Sequence, residues 1–424
     1  MYLLSIFQPS LVRYTSWSFL FTMFVLIVLL QIYFYKKTGV FLEKAIQSED
    51  KIRRWRKVLI AWLAIINLPY LGIVLFVGDW IAFGPNGLTA KLVAWIMYPF
   101  YVWEFGLAMF FAINLAKTIT LDIVNLARKL FRREKGIVTQ EPVSLSRRQL
   151  LNGLTVGVGA LPFATVAYGI VMAENFYEIE RVRIPIRNLP PQFEGFRIMQ
   201  LTDIHAGLFM TQARMSDFAR AANALQPDLI ALTGDYVATS RDSIKPFMNA
   251  FGELRAHHGV FGVLGNHDVF TDSTSRLIRE FSARGFKFMV NEQEWIKRDG
   301  ARLNLLGIEF LPQTEIDLER TLRGLPLDGP SVLLSHQPNA LAKASQRNID
   351  LTLSGHLHGG QMKLEFLGLD VAPTKIVSPY ISGVYKHGDA QMYLSRGLGT
   401  TAVPIRLNAR PEITEITLFR DPNS

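Results

Sequence analysis

Four apolar stretches, at about Trp17–Tyr35, Val58–Val77, Leu92–Leu115 and Leu150–Met172, constrain this chain more than any other feature. A helix needs about 20 mostly apolar residues to cross a hydrocarbon core of about 30 Å. One such stretch would be readable as a buried helix of a soluble protein. Four of them, with basic clusters between, read as membrane spans. Eight Lys and Arg fall between Lys36 and Lys57, and eight more between Lys117 and Arg148. The segment before the first span carries only Arg13, and the connection Gly78–Lys91 only Lys91. Basic loops stay in the cytoplasm. The first and third connections therefore belong inside, and the N-terminus and everything after Met172 outside. That predicts a multi-pass membrane protein, with residues 1–173 as a transmembrane domain and 174–424 on the periplasmic or external side.

Charge follows the same division. Of the 45 Lys and Arg and 36 Asp and Glu, 18 and 8 lie at or before Ala173, and 27 and 28 after it. The net +9 thus belongs to the membrane half, and the other half is close to neutral. No basic face for a nucleic-acid backbone is expected there. The absence of cysteine excludes disulfides, thiolate metal sites and cysteine nucleophiles. Any metal must be held by His, Asp, Glu or Asn.

Three local features of the membrane half carry separate readings. Ser146-Arg147-Arg148-Gln149-Leu150-Leu151 is similar to a twin-arginine export signal, and equally readable as the positive flank of the fourth span. Glu104 interrupts the third span; an acid inside a membrane is a functional candidate, but an isolated one predicts a structural, bundle-facing role. Leu121–Phe131, with Arg128 and Lys129 beside apolar residues, reads as a helix continuing into the cytoplasm or lying on the headgroups.

From Phe176 the pattern changes to short apolar runs alternating with amphipathic helical stretches such as Gln212–Leu225, Ser243–Arg255 and Ser273–Arg284, which predicts an α/β layered domain. Five apolar runs end in polar chemistry. Phe196–Leu201 leads into Thr202-Asp203-Ile204-His205, and Asp228–Leu232 into Thr233-Gly234-Asp235. Val260–Leu264 leads into Gly265-Asn266-His267-Asp268, and Ser331–Leu334 into Ser335-His336. Ile349–Leu353 leads into Ser354-Gly355-His356-Leu357-His358-Gly359-Gly360. Read as strands, the runs deliver these residues at carboxyl ends, where open α/β sheets build their sites. Five of the eight histidines fall in the motifs, which argues for one shared centre.

This order of motifs, D-x-H, G-D, G-N-H-D, a lone His and G-H-x-H, resembles the calcineurin-like metallophosphoesterase superfamily over about Phe196 to Gln361. Ser395–Thr400 and the multi-span N-terminus resemble a bacterial membrane-anchored branch. Leu357 departs from the small polar residue more usual there and removes no ligand. The resemblance implies a β-sandwich flanked by helices and two divalent metal ions. Imidazole, carboxylate and amide oxygen suit Mn, Fe or Zn. Carried onto matching positions, Asp203, His205 and His358 hold one ion, Asn266, His336 and His356 the other, and Asp235 bridges them. A metal-bridging hydroxide would then attack phosphorus. His267 would stabilise the transition state or protonate the leaving oxygen, and Asp268 would orient His267 or stand as an exposed turn acid.

Outside the motifs, His257 and His258 are expected to face solvent and His387 to sit in a hairpin turn. Arg396 is read as supporting its turn in preference to binding a substrate phosphate. The implied function is a membrane-anchored phosphoesterase acting on a phosphoester or pyrophosphate, with a lipid-linked substrate one option. A UDP-2,3-diacylglucosamine pyrophosphatase-like enzyme of lipid A synthesis is the alternative, in conflict with the predicted orientation because that substrate is made in the cytoplasm. A non-catalytic phosphate-binding membrane sensor is the other, opposed by the complete ligand set.

Overall fold

A computed structural model describes residues 9–75, 88–131, 145–310, 318, 329–366 and 369–422. Five helices come first: α1 (Pro9–Ala45), α2 (Glu49–Ile66), α3 (Leu68–Leu75), α4 (Leu88–Phe131) and α5 (Leu145–Asn175). Among the described residues three helical windows are long and apolar enough to cross a membrane: Phe21–Ala45, Leu92–Lys129 and Gly157–Asn175. They correspond to the first, third and fourth predicted spans. The second stretch is divided. Asn67 ends α2, and its side chain bonds back to the carbonyl of Leu63 at 2.7 Å, before α3 begins. Neither α2, with its charged first half, nor the eight-residue α3 is by itself such a window. Leu121–Phe131 continues α4 as one helix. The loop Gly78–Lys91 falls mostly outside the described residues, as does 132–144 of the second basic cluster, and so do the side chains of Ser146–Leu151.

Glu104 is buried, as a bundle-facing role requires. It has a partner that the sequence did not announce: Gln31 Nε2 donates to its Oε1 at 2.8 Å, and Trp103 Nε1 donates to Gln31 Oε1 at 3.2 Å. Amides and acids meeting across helices satisfy each other where no water can. Around this pair Phe34 stacks edge-on against Trp103, and Trp103 lies against Phe163.

The last turns of α5, from Gly169, pack with the C-terminal unit, in which two six-stranded sheets face one another. The strands are β1 (Glu178–Ile186), β2 (Arg197–Leu201), β3 (Leu229–Leu232), β4 (Val260–Gly262), β5 (Lys287–Phe288), β6 (Glu292–Arg298), β7 (Ala301–Gly307), β8 (Ser331–Leu334), β9 (Leu351–Ser354), β10 (Leu364–Phe366), β11 (Leu369–Val371), β12 (Gly383–His387), β13 (Ala390–Leu394) and β14 (Glu412–Arg420). One sheet runs β1-β14-β2-β3-β4-β5 and the other β12-β13-β9-β8-β7-β6, while β10 and β11 form a separate ribbon. The centre of each sheet is parallel, β2 through β5 in one and β7, β8, β9 and β13 in the other. Strands buried on both faces read as continuous apolar runs, which is why Leu-Ile-Ala-Leu and Ser-Val-Leu-Leu carry no alternation.

Ile198, Leu229, Leu305, Val332 and Leu353 fill the space between the sheets. On the outer face of the first sheet pack α6 (Gln212–Ala224), α7 (Ile244–Phe251) and α9 (Thr274–Ser282), with the short α8 (Asn266–Phe270) preceding α9; α10 (Ala340–Gln346) covers the second. The result is the layered sandwich flanked by helices that the resemblance implied. Both sheets send the carboxyl ends of their parallel strands to the same end of the sandwich, and the polar motifs meet there.

Candidate metal centre

Each motif leaves its strand by turning at once, and the turns are costly ones. Asp203, His205, Asp235, His356 and His358 all have positive φ, between 50° and 80°. This left-handed region is disfavoured for most residues with a Cβ, and Asp, Asn and His tolerate it best. Such strain persists where the surroundings over-determine it, typically at functional sites. Two glycines are required by close approach: a Cβ on Gly265 would collide with the carboxylate of Asp235, and one on Gly355 with that of Asp203.

Two clusters of potential ligand atoms result. In the first, His205 Nε2 and His358 Nε2 are 3.0 Å apart, and Asp203 Oδ1 is 3.3 Å from His358 Nε2. In the second, His336 Nε2 lies 3.1 Å from Asn266 Oδ1 and 3.2 Å from His356 Nδ1. Asp235 Oδ2 faces both, 3.3 Å from His336 Nε2 and 3.6 Å from His205 Nε2. All seven residues read as ligands are therefore brought together, in the two groups expected and with Asp235 between them. Convergent imidazole nitrogens, carboxylates and one amide oxygen are a donor set that fits divalent cations.

The supporting bonds orient the ligands. Thr202 donates to Asp203 Oδ2 at 2.9 Å, and the backbone N–H of His356 to both oxygens of Asp203 at 3.0 Å. His336 Nδ1 sits 2.8 Å from the carbonyl of Thr233, which directs Nε2 into the cluster. Burial pushes His205 and His356 down to about 3, with the charges of neighbouring histidines adding to it. Burial also holds His358 well below its ordinary range, helped by His205 and Arg406. Neutral imidazoles are what a metal requires. Asp203 is raised to about 6 by burial, with Asp235 adding repulsion, whereas the facing histidines, His336 first, outweigh burial and keep Asp235 low. His336 rises to about 9, because Asp235 and Asp203 outweigh its burial.

His267 is half-buried beside His205, ring centroids 4.6 Å apart, and its Nδ1 is 2.6 Å from the carbonyl of Ala238. The expectation for Asp268 is corrected on both counts. It is fully buried, so no exposed turn acid, and the bonds its carboxylate makes are to backbone N–H groups and not to the His267 ring. It accepts from those of Asp235 (2.8 Å), Tyr236 (2.9 Å), Val237 (3.3 Å) and Gly265 (2.9 Å). Burial, with repulsion from Asp235, raises its carboxyl to about 8, while the converging N–H donors pull the other way by favouring the ionised form. Asp268 thus ties the Asp235 turn to the Gly265 turn.

The remaining candidates lie elsewhere. His257 is exposed, and His258 packs against Phe196. His387 is exposed at the end of β12, where the hairpin to β13 turns. Arg396 pairs with Glu178 (2.9 Å), Glu180 (3.2 Å) and Glu412 (2.5 Å), a role in holding its turn. Leu357 is buried against Leu341, Met392 and Leu394. Sequence reasoning missed three residues at the centre: Gln361, Thr401 and Arg406. The guanidinium of Arg406, buried, donates to the carbonyls of Gly399, Ala409, Arg396 and Gly397 and lies 3.3 Å from His358 Nδ1. A lone arginine twelve residues past a strand gives no signal of this.

Residues 196–360 match the family described as calcineurin-like phosphoesterase. The uncharacterized metallophosphoesterase YkuE of Bacillus subtilis (strain 168) is 33% identical over 282 residues, 65% of this chain and 98% of its own. The chain belongs to the calcineurin-like metallophosphoesterases. As a member of that family it is a phosphoric ester hydrolase. The similarity to the transmembrane protein with metallophosphoesterase domain of Bos taurus, 26% identical, extends over 97% of this chain and 92% of that one, so it includes the helical half. Phosphodiesterase YaeI of Escherichia coli (strain K12) is 28% identical over 53% of this metallophosphoesterase and 82% of its own length.

Proposed function

We propose that this metallophosphoesterase is anchored in the bacterial inner membrane, with its catalytic domain on the periplasmic side. It hydrolyses a phosphoester or pyrophosphate bond with two divalent cations. The observation that carries the reading is the position of Asp235 Oδ2, within 3.6 Å of ligand atoms of both clusters. Asp203, His205 and His358 would hold one cation, Asn266, His336 and His356 the other, and Asp235 both. When bound, the pair supplies an acidified water as nucleophile and neutralises charge on the phosphoryl oxygens.

The protein groups do the rest. Asp203 and Asp235 are fixed by backbone N–H donors before substrate arrives, so no reorganisation is needed during the reaction. His267, with Nδ1–H engaged by the Ala238 carbonyl, would keep Nε2 for the phosphoryl group, and in its imidazolium form would deliver the Nε2 proton to the leaving oxygen. The test is a panel of phosphomonoesters and phosphodiesters offered to the full-length protein stripped of metal and reloaded with Mn²⁺, Fe²⁺ or Zn²⁺. Metal-restored release of product supports the reading. Two bound metals without turnover of any ester would favour the non-catalytic sensor.

One observation favours a lipid-linked substrate within this reading. The helix window Gly157–Asn175 is apolar enough to cross a membrane, and within it the carbonyl of Gly169 accepts from the backbone N–H of Arg406 at 3.0 Å. Arg406 in turn reaches His358. This link from the last turns of α5 through Arg406 to the first cluster supports a substrate whose phosphate is presented close to a membrane surface. Long-chain phosphoesters in vesicles should outcompete their short-chain counterparts; equal turnover of both would remove this refinement.

A further inference from the structure

The segment after β13 returns across the histidines of the first cluster as a strap, residues 399–407, pinned at three places. Gln361, the residue following Gly359-Gly360, clamps it: its Oε1 accepts from the Thr401 N–H at 2.9 Å, and its Nε2 donates to the carbonyls of Thr401 (3.1 Å) and Val403 (3.0 Å). Arg406 holds the far end by its bonds to four carbonyls, and its own N–H is bonded to Gly169. Between these pins Ala402 is held at φ 62°, a conformation that alanine adopts at a cost. A strained residue kept in place by three hydrogen bonds points to something that needs the neighbouring side chain where it is.

That side chain is Thr401. Its Oγ1 is 2.9 Å from His358 Nε2 and 3.1 Å from His205 Nε2, and the two nitrogens are 3.0 Å apart. The three atoms form a nearly equilateral triangle. Adjacent corners of an octahedron with ligands at about 2.1 Å are about 3.0 Å apart. Adjacent corners of a tetrahedron of similar radius are about 3.4 Å apart. Asp203 Oδ1 continues the octahedral pattern, 3.3 Å from His358 Nε2 and 4.0 Å from His205 Nε2, against about 3.0 Å for adjacent and about 4.2 Å for opposite corners.

We propose that Thr401 is an oxygen ligand of the cation held by Asp203, His205 and His358, and that it biases this position toward a six-coordinate, oxygen-tolerant ion such as Mn²⁺ over tetrahedral Zn²⁺. The inference rests on the metal-centre reading above. A hydroxyl oxygen is a hard, neutral donor of the kind that suits such ions.

The test counts bound Mn²⁺ by electron paramagnetic resonance on the full-length protein in detergent, with Zn²⁺ affinity measured by competition. Thr401→Val removes the oxygen at near-constant volume and should weaken one of the two Mn²⁺ sites at least about tenfold, with a smaller loss for Zn²⁺. Thr401→Ser keeps the oxygen and should bind as the wild type does. Unchanged Mn²⁺ binding by Thr401→Val, an equal loss of both metals, or Thr401→Ser as poor as Thr401→Val would each overturn the proposal alone. A wild-type protein that takes up no Mn²⁺ would overturn the metal-centre reading and this inference with it.

Discussion

His267 and Asp268 are neighbours in one tetrapeptide, and their environments separate their roles. His267 presents a ring nitrogen near His205 with no ligand duty in the proposed sets. His267→Ala should keep both metals and lower kcat by about 10²–10⁴, the span for a lost general acid. The greater loss is expected for esters with poor leaving groups, and metal content together with a leaving-group series checks this. Asp268 behaves differently, since its carboxylate is the acceptor for four backbone N–H groups. Asp268→Asn turns a donor toward those donors and should cost about 3 kcal/mol of stability. Denaturant melts would register that cost, and metal affinity should fall with it because Asp235 loses its brace. A variant as stable as the wild type would contradict the scaffold role.

At the scale of elements, the site is the set of loops leaving β2, β3, β4, β8 and β9, and these were legible because each ends in residues with few other uses. Asp-x-His and Gly-Asn-His-Asp at the end of an apolar run specify both a sharp turn and a ligand. The strap was not legible. Gln361 and Thr401 meet across forty residues of chain, and Thr401 sits in a stretch of common residue types with no period or charge to mark it. Asp268 misled for a related reason: adjacency in sequence to His267 says nothing about where a carboxylate points on a one-turn helix. Asn67 likewise divides a stretch whose hydropathy alone reads as continuous. The strap is expected to depend on Arg406. Arg406→Met removes the guanidinium donor from the carbonyls of Arg396, Gly399 and Ala409 in a buried position, while Gly397 keeps the N–H of Glu412. The expected cost is about 3 kcal/mol, a fall in Tm of about 6–12 °C for a unit of this size, read by thermal melts.

At the scale of the whole molecule, the helical half and the phosphoesterase half raise separate questions. Membrane helices precede the catalytic domain, and the similarity to the Bos taurus protein covers both halves. The proposed periplasmic side rests on the basic loops together with α2 and α3 making the second crossing between them; if only the three long windows crossed, the two basic clusters would fall on opposite sides. A C-terminal reporter active only outside the cytoplasm should light up; activity of a cytoplasm-only reporter would reverse the orientation and bring the nucleotide-sugar pyrophosphatase reading forward. The metal centre does not depend on that outcome, since its proposed ligands, Thr401 included, all lie in the C-terminal unit. Its claim is tested most directly by titrating the metal-free full-length protein with Mn²⁺ while following hydrolysis of a phosphodiester. Activity should be absent without metal, rise with added ion and level off at two equivalents per chain. Turnover that survives complete removal of metal, or saturates with a single ion, would contradict the account.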